Sequence, residues 1–351
     1  MFQKVAGRSA PGQNAARMIQ TNLEIRQVPA WQQALSQAFT KPSELLEFLG
    51  LPADMPCMPV NRQFPLRVPR GFAARMEKGN ARDPLFLQVW PALAEGQDTA
   101  GFSDDAVGDR ASLKDGGLIH KYEGRALVIT TGACAVHCRY CFRQHFPYGE
   151  ALASRDRWRA TLKALADDCS IHEVILSGGD PLALTDDKLA EFAEAVEFLP
   201  HVDTLRIHTR LPVVLPERID DRFMAWFARG RLRKVMVIHA NHANEIDSPV
   251  AGALARLRDA GVTLLNQSVL LRGVNDRSST LVELSERLFA CGVMPYYLHM
   301  LDRVRGTAHF EVPENEARAL MRAMSARLPG YRVPRLVREE PGAPSKIVLA
   351  G

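Results

Sequence analysis

Three closely spaced cysteines are the residues of this chain whose type and spacing most directly indicate chemistry. Cys134, Cys138 and Cys141 lie within eight residues of one another. Thiolates gathered on one short loop select zinc or an iron-sulfur cluster. A structural zinc ion needs a fourth ligand, which His137 would have to supply, whereas a cubane held by three thiolates leaves one iron open. We predict a metal centre, with an iron-sulfur cluster favoured over zinc because His137 adjoins Cys138 and would have to fold back.

The other cysteines carry no assigned role. Cys57, Cys169 and Cys291 stand alone among apolar neighbours, and we expect them to be small core residues. Six cysteines in 351 residues do not make a disulfide framework. The clustering of half of them instead predicts a metal site in a reducing compartment.

Further polar residues follow the ends of predicted strands. The first group consists of Ser177, Gly178, Gly179 and Asp180. Paired glycines allow close backbone approach to a ligand, and a carboxylate can receive an ammonium group. A tight turn explains this motif about equally well when it is taken alone. His239 and Gln267 lie at the ends of later strands. Each could bind a ligand or could simply form hydrogen bonds within the protein, and the two interpretations are about equally good.

Alternating strands and helices must position these residues. Six β-branched or apolar runs predict strands at 126–130, 173–177, 204–208, 234–238, 262–266 and 293–297. Amphipathic stretches at 155–168, 186–198 and 248–259 predict intervening helices. This alternation indicates an α/β fold with a parallel sheet and right-handed crossovers. Six such units predict a partial (βα)6 barrel with its ligands at the carboxyl ends of the strands.

The predicted barrel occupies residues 116–311, between two other segments. Residues 1–115 are expected to be helical and irregular, with helices at 31–39 and 42–49 and an extended connector at 95–117. Residues 312–351 form the C-terminal segment. The three segments are our predicted domain organisation.

Composition restricts the class of protein. The chain is 46% hydrophobic and 24% charged, and its net charge of +4 is spread without long blocks of one sign. These values predict a globular protein that binds a small anionic ligand rather than nucleic acid. No window approaches the roughly 18 apolar residues of a membrane span, so we expect a soluble, cytoplasmic protein. Lys4, Arg8 and Arg17 faintly suggest a transit peptide, but a frayed terminus is the simpler interpretation.

Several motifs resemble the lysine 2,3-aminomutase family of radical S-adenosylmethionine (SAM) enzymes in order and spacing. The matching runs are Thr131–Arg143, Ser177–Asp180, Arg206–Arg210, Asn241–Glu245, Asn266–Leu271 and Pro341–Lys346. The resemblance extends from about Trp31 onward. It is greatest to the short bacterial branch that makes (R)-β-lysine for modification of elongation factor P, which shares residues 70–80, 141–148 and 294–299 with this chain.

The resemblance implies three cofactors and their ligands. A 4Fe-4S cluster would be held by Cys134, Cys138 and Cys141, and SAM by Ser177, Gly178, Gly179, Asp180, His239 and Gln267. Pyridoxal phosphate (PLP) would form a Schiff base with Lys346, with Lys121 and Arg125 on its phosphate. Arg143 would bind the substrate carboxylate, and Asp302 and Glu339 the ε-ammonium group of lysine. Glu339 stands where the family usually has aspartate, which changes the reach of that carboxylate.

The implied activity is that of an isomerase, L-lysine 2,3-aminomutase. A SAM-derived 5′-deoxyadenosyl radical would act on a PLP aldimine and convert (S)-α-lysine to (R)-β-lysine. The product would pass to a ligase acting on elongation factor P. The chain stops before the C-terminal extension and zinc-binding cysteines of the catabolic enzymes, so their oligomer contacts are not assumed and a homo-oligomer is left open. The alternatives are a catabolic lysine aminomutase, a radical SAM enzyme for another amino acid, and a non-enzymatic zinc or RNA-binding protein.

Overall fold

A single ten-stranded sheet organises the computed structural model, which describes residues 28–59, 64–151 and 155–351. The strands lie side by side in chain order. They are β1 (Leu113–Lys114), β2 (Leu118–Tyr122), β3 (Arg125–Thr131), β4 (Glu173–Gly178), β5 (Thr204–Thr209), β6 (Arg233–Ile238), β7 (Thr263–Val269), β8 (Met294–His299), β9 (Arg335–Arg338) and β10 (Ile347–Ala350). The basic residues at the start of the sequence, Lys4, Arg8 and Arg17, lie outside the described residues.

Strands β3 to β9 are parallel, and the remaining pairings are antiparallel. The six predicted strands are confirmed as β3 to β8. Strand β9 is a seventh parallel strand that the sequence did not predict, because Arg335-Leu-Val-Arg338 has only two apolar residues. Within the described chain the edge strands β1 and β10 do not pair with each other, so the sheet is an open, partial barrel, as predicted.

Helices connect the strands and cover the sheet. They are α1 (Ala30–Ser36), α2 (Pro42–Leu49), α3 (Arg70–Ala73), α4 (Pro84–Leu87), α5 (Tyr148–Ala151), α6 (Arg155–Asp167), α7 (Asp186–Glu197), α8 (Leu211–Val214), α9 (Asp221–Phe227), α10 (Ser248–Asp259), α11 (Ser278–Ala290) and α12 (Glu314–Ser325). Helix α2 ends at Gly50, whose φ of 66° is left-handed and therefore suits glycine. Thr185 precedes α7, but its side chain makes no capping hydrogen bond.

The N-terminal segment packs into the barrel instead of standing apart from it. Trp31, Phe72 and Phe86 are buried in the same hydrophobic cluster as Leu176 and Ile207 of the central strands. One shared core means that this segment supports the barrel directly. The segment boundaries at residues 115 and 311 stay predictions.

A second, smaller cluster lies under the C-terminal segment. It joins Leu298 of β8 and Leu336 of β9 to Met321 of α12. This packing fixes β9 beside β8 and so determines where the residues after β9 lie. Among the described helices, none combines the length and the apolar character needed to cross a membrane.

Candidate active site

The three clustered cysteines lie on the loop after β3, close enough for their thiols to interact. Burial, Asp180 and the other two thiols raise the pKa of Cys134 well above its ordinary value. Burial and Cys138 raise the pKa of Cys141 to about 11. No set of three His, Cys, Asp or Glu side chains in the described residues is arranged around one ion. Three thiolates on one short loop suit a cluster with one open iron, because a single structural zinc ion would need a fourth ligand.

His137 holds the cysteine loop against the N-terminal segment. Its Nδ1 lies 2.6 Å from the Pro65 carbonyl oxygen, and its ring stacks on Phe64 at 4.8 Å. Its backbone N–H donates to the Arg67 carbonyl oxygen at 3.1 Å. One ring nitrogen is thus already engaged in the contact that anchors the loop, which weighs against the zinc alternative.

The two glycines after β4 pack tightly against the start of the cysteine loop. A Cβ on Gly178, whose φ is 127°, would lie 2.6 Å from the Thr131 carbonyl oxygen. A Cβ on Gly179 would lie 2.4 Å from the Ala133 carbonyl oxygen. Both are closer than atoms can approach. The close approach that requires glycine here is therefore between two chain segments; a ligand contact at Gly178 and Gly179 stays a prediction.

Asp180 is a buried carboxylate that already accepts four hydrogen bonds. Its Oδ1 accepts from Leu182 N (3.0 Å) and Thr209 Oγ1 (2.7 Å), and its Oδ2 accepts from Arg210 N (2.7 Å) and Leu211 N (3.2 Å). These bonds oppose the effect of burial, which raises its pKa to about 6. The structure thus gives Asp180 a role in fixing the chain after β5, and its predicted contact with SAM would compete with these bonds.

His239 and Gln267 lie together inside the barrel. Gln267 Nε2 is 3.0 Å from His239 Nε2 at the ends of β6 and β7. Burial, with Arg210 and Arg143 nearby, lowers the pKa of His239 to about 3, so its ring is neutral at pH 7. A neutral imidazole and an amide are suited to hydrogen-bonding hydroxyl groups of a ligand.

Lys346 and Glu339 meet at the edge of the barrel. The Lys346 ammonium contacts Glu339 Oε2, and Tyr122 Oη donates to Glu339 Oε1 at 2.5 Å. Although burial opposes it, Lys346, Tyr122 and Lys121 lower the pKa of Glu339. Glu339 immediately follows β9 and Lys346 immediately precedes β10, so a short hairpin connection brings them together.

Asp109 joins two of the predicted cationic residues. Its Oδ1 lies 2.6 Å from Lys121 Nζ, and its Oδ2 accepts from Arg143 Nε at 2.8 Å. Arg143 also donates to Ser177 Oγ at 3.0 Å. Arg143 and Lys121 hold the pKa of Asp109 below its ordinary value, against the effect of burial. Asp109 lies in the stretch that we expected to be an extended connector, and nothing in its local sequence distinguishes it.

Asp302 lies three residues after the end of β8, near enough to Lys346 and Glu339 for their charges to affect its pKa. Burial raises its pKa to about 7; Lys346 opposes this shift and Glu339 adds to it. In the described part of the chain Asp302 forms no ion pair, in contrast to Glu339, which contacts Lys346. It is therefore available to a cation that enters the pocket.

Arg125, His208 and His299 each have polar atoms that could bind a ligand. Arg125 stacks on the Tyr122 ring at 4.8 Å and pairs with no carboxylate among the described residues. The Nε2 atoms of His208 and His299 are buried without a hydrogen-bond partner in the described chain. Burial and the nearby Lys346 lower the pKa of both histidines. An amine, an unpaired cation and unpartnered imidazoles fit a phosphate-bearing aldehyde such as PLP. Sequence reasoning did not select His208 or His299.

Similarity to known proteins extends over most of this chain. The family model described as "Radical SAM superfamily" matches residues 128–284, which include the cysteine loop and most of the parallel strands. L-lysine 2,3-aminomutase from Escherichia coli (strain K12) is 48% identical over 91% of this chain and 94% of that protein. L-lysine 2,3-aminomutase from Haemophilus influenzae is 45% identical over 93% of this chain and 97% of that protein. The Clostridium subterminale protein of the same name is 32% identical over 78% of this chain but only 66% of its own length.

Proposed function

Because this chain belongs to the lysine 2,3-aminomutase family of radical SAM isomerases, which use a 4Fe-4S cluster, SAM and PLP, we propose that it converts (S)-α-lysine to (R)-β-lysine. When bound, SAM supplies a radical that abstracts hydrogen, and PLP supplies a carbonyl carbon that carries the migrating nitrogen. The protein's own residues bind the two ends of the substrate and keep water from the reacting atoms.

The observation that carries this proposal is the position of Asp302 and Glu339 beside Lys346. Glu339 contacts the Lys346 ammonium group, and Asp302 is near enough for the charge of Lys346 to lower its pKa against burial, although 37 positions separate the two carboxylates in the chain. In the enzyme loaded with PLP, the Lys346 amine is engaged by the cofactor, and the acidic pair is free for the ε-ammonium group of lysine. An acidic pair at this end of the pocket favours lysine over glutamate, whose distal group is an anion.

Cationic side chains lie next to the acidic pair: Lys121 is 3.9 Å from Glu339, and both Lys121 and Arg143 contact Asp109. Arg143 is held through Nε by Asp109 and through Nη1 by Ser177, which leaves Nη2 for the substrate carboxylate. Lys121 and Arg125 would bind the phosphate of PLP, and Lys346 would form its Schiff base. For Lys121 this requires sharing its ammonium group with Asp109.

SAM would lie on the barrel axis between the cysteine loop and the ends of β4, β6 and β7. Cys134, Cys138 and Cys141 hold the cluster in this proposal. His239 and Gln267 would bind hydroxyl groups of SAM. Residues 177–180 would contribute mainly backbone groups, because the Asp180 carboxylate is already hydrogen-bonded.

The experiment that tests the activity is anaerobic incubation of reconstituted protein with SAM, dithionite and L-lysine, followed by chiral chromatography. We expect (R)-β-lysine to accumulate. Formation of 5′-deoxyadenosine without β-lysine would retain the radical chemistry but refute the substrate. The same assay with L-glutamate, which the acidic pair should exclude, gives the matched negative control.

We further propose that the product serves modification of elongation factor P through a ligase. Support comes from the resemblance of residues 70–80, 141–148 and 294–299 to the branch of the family that makes (R)-β-lysine for this modification. Mass spectrometry of elongation factor P from cells with and without this gene tests the proposal. Loss of a mass equal to one lysyl residue is expected. Unchanged elongation factor P combined with impaired growth on lysine would favour the catabolic role instead.

A further inference from the structure

A buried polar network lies behind the cysteine loop, outside the pocket that would bind PLP and lysine. Its members come from the N-terminal segment, the cysteine loop and the ends of β5 and β6. They are Gln88, Tyr140, Arg210, Asn241 and Glu245, and all but Tyr140 are at most 5% exposed. Charged groups are rarely buried so completely without a specific purpose.

Arg210 is the centre of this network and the member that contacts a cysteine. Its Nη1 donates to Cys138 Sγ at 2.6 Å. Its Nη2 donates to Gln88 Oε1 at 2.7 Å and to Glu245 Oε2 at 3.0 Å. Its backbone N–H is fixed by Asp180. The guanidinium group is therefore held in one position against the sulfur atom.

The partners of Arg210 are themselves fixed. Gln88 Nε2 donates to Glu245 Oε1 at 3.1 Å, and Asn241 donates through Nδ2 to Gln88 Oε1 at 3.0 Å. Asn241 also donates from its backbone to Glu245 Oε1 at 2.8 Å and from Nδ2 to Tyr140 Oη at 2.7 Å. Rigid partners leave Arg210 little freedom to turn away from Cys138.

A fixed cation on a cluster sulfur has a predictable electrostatic effect. Reduction adds one negative charge to an iron-sulfur cluster, and hydrogen bonds to its sulfurs stabilise the reduced form. Low dielectric surroundings strengthen that effect. We propose that Arg210 is a positioning residue that raises the reduction potential of the cluster through Cys138, with Gln88 and Glu245 holding it in place. This inference rests on the cluster assignment of the proposed function.

An anaerobic redox titration followed by electron paramagnetic resonance tests the inference without SAM, PLP or substrate. The variants are Arg210→Gln, which removes the charge, and Arg210→Lys, which keeps it but cannot reach Cys138, Gln88 and Glu245 together. Arg206→Gln is the matched control, because Arg206 lies on β5, four residues before Arg210, and pairs with Glu173 at 2.7 Å. We expect a clear negative shift of the midpoint for Arg210→Gln, a smaller one for Arg210→Lys and none for Arg206→Gln.

The outcomes separate this inference from the proposed function. Absence of any cluster signal in the wild-type protein would refute the cluster assignment and, with it, the inference. A wild-type signal with unshifted midpoints in both Arg210 variants would refute the role of Arg210 alone. Should Arg210→Gln fail to fold or to retain iron, Arg210→Lys decides the question: a wild-type midpoint in that variant overturns the inference. Equal shifts in Arg206→Gln would show a general charge effect and overturn it as well.

Discussion

The cysteine loop and the lysine pocket differ in how their charged groups are supported. By the lysine pocket we mean the region around Lys121, Arg143, Asp302, Glu339 and Lys346. Around the cysteine loop, Arg210 is held by Gln88 and Glu245, which belong to a network separate from the predicted ligands. In the lysine pocket, the predicted ligand-binding groups contact one another: Lys346 with Glu339, and Lys121 and Arg143 with Asp109. The first region is preorganised around a cluster that stays in place. The second is paired internally and must exchange partners when PLP and substrate bind.

Because of this difference, we expect a substitution in one region to leave the function of the other region intact. A change at the cysteine loop should remove radical formation and leave PLP binding intact, whereas a change at Lys346 should do the reverse. Both regions must function for the amino group to migrate, so activity alone cannot distinguish them.

The largest effect is expected for Cys138→Ala. With only two thiolates left, the cluster should not assemble with an iron open to SAM, and 5′-deoxyadenosine should fall to background. Product analysis after anaerobic reconstitution measures this, and PLP absorbance should persist. Cys169 is exposed, so the expectation that it is a core residue was wrong, and Cys169→Ala is the control that should behave as wild type. Retained cleavage in Cys138→Ala would refute the cluster assignment.

Lys346→Ala should separate the regions in the opposite direction. Without the amine, the Schiff-base absorbance of PLP should disappear and β-lysine formation should be lost, because the other lysine beside Glu339, Lys121 at 3.9 Å, is paired with Asp109 at 2.6 Å. Iron content and reductive SAM cleavage should be unchanged. Lys234→Ala, at a lysine paired with Glu197 at 3.1 Å, provides the control. A wild-type absorbance in Lys346→Ala would exclude this lysine as the PLP residue.

Asp302→Ala should weaken lysine binding while cluster and PLP remain. Removing one partner of a buried ion pair costs roughly 2 kcal/mol or more, so the KM for lysine should rise about 30-fold or more. Steady-state kinetics at saturating SAM measure it. Asp203→Asn, at an exposed aspartate before β5, should have no effect. An unchanged KM in Asp302→Ala would remove the basis for assigning lysine as substrate.

The pH dependence should sharpen the same comparison. Because burial raises the pKa of Asp302 to about 7, this carboxyl group is increasingly neutral as the pH falls below 7. A neutral carboxyl attracts the ε-ammonium group poorly, so the KM for lysine should rise by up to about tenfold per pH unit below that value. Asp302→Asn should lose this dependence. Measurements from pH 5.5 to 8.5 test it, and parallel profiles for the two proteins would contradict the prediction.

The smallest effect is expected for Tyr122→Phe. This change removes one hydrogen bond to Glu339 without altering the size of the ring. The lost hydrogen bond is worth about 1 kcal/mol of binding free energy, because it fixes Glu339. The KM for lysine should therefore rise about fivefold, while kcat stays nearly unchanged. Tyr331→Phe, at an exposed tyrosine, is the control. A fall in kcat without a change in KM would show that Tyr122 acts elsewhere.

The sequence predicted those features that depend on neighbouring residues and missed those that depend on contacts between distant parts of the chain. The parallel strands β3 to β8 were predictable because each is a compact apolar run, and the three cysteines because their spacing is visible within one loop. Strand β9 was missed because its packing against Leu298 and Met321 comes from distant parts of the chain. Resemblance, and not periodicity, brought Lys346, Asp302 and Glu339 into consideration.

Asp109 and Arg210 show what no local pattern reveals. Asp109 looks like an ordinary residue of a Gly- and Asp-rich connector, and only the fold places it between Lys121 and Arg143. Arg210 belongs to a recognised run, yet its contact with Cys138 spans 72 positions of the chain. Asp180 was noticed for its carboxylate, but four internal hydrogen bonds give that carboxylate a structural use. Long-range pairing of this kind depends on the folded arrangement of the strands and their loops.

The hairpin formed by β9 and β10 has a consequence for the lifetime of the protein. Within the described sheet, β10 is an edge strand hydrogen-bonded to β9 alone. Edge elements open locally at a lower free-energy cost than central strands, which must break two ladders. Lys346 immediately precedes β10, so brief opening of this hairpin would admit water to a Schiff base on Lys346, and its hydrolysis would return the free amine and the aldehyde and let PLP exchange, while the cysteine loop after β3 stays in place. Replacement of a damaged PLP would then be far faster than replacement of the cluster.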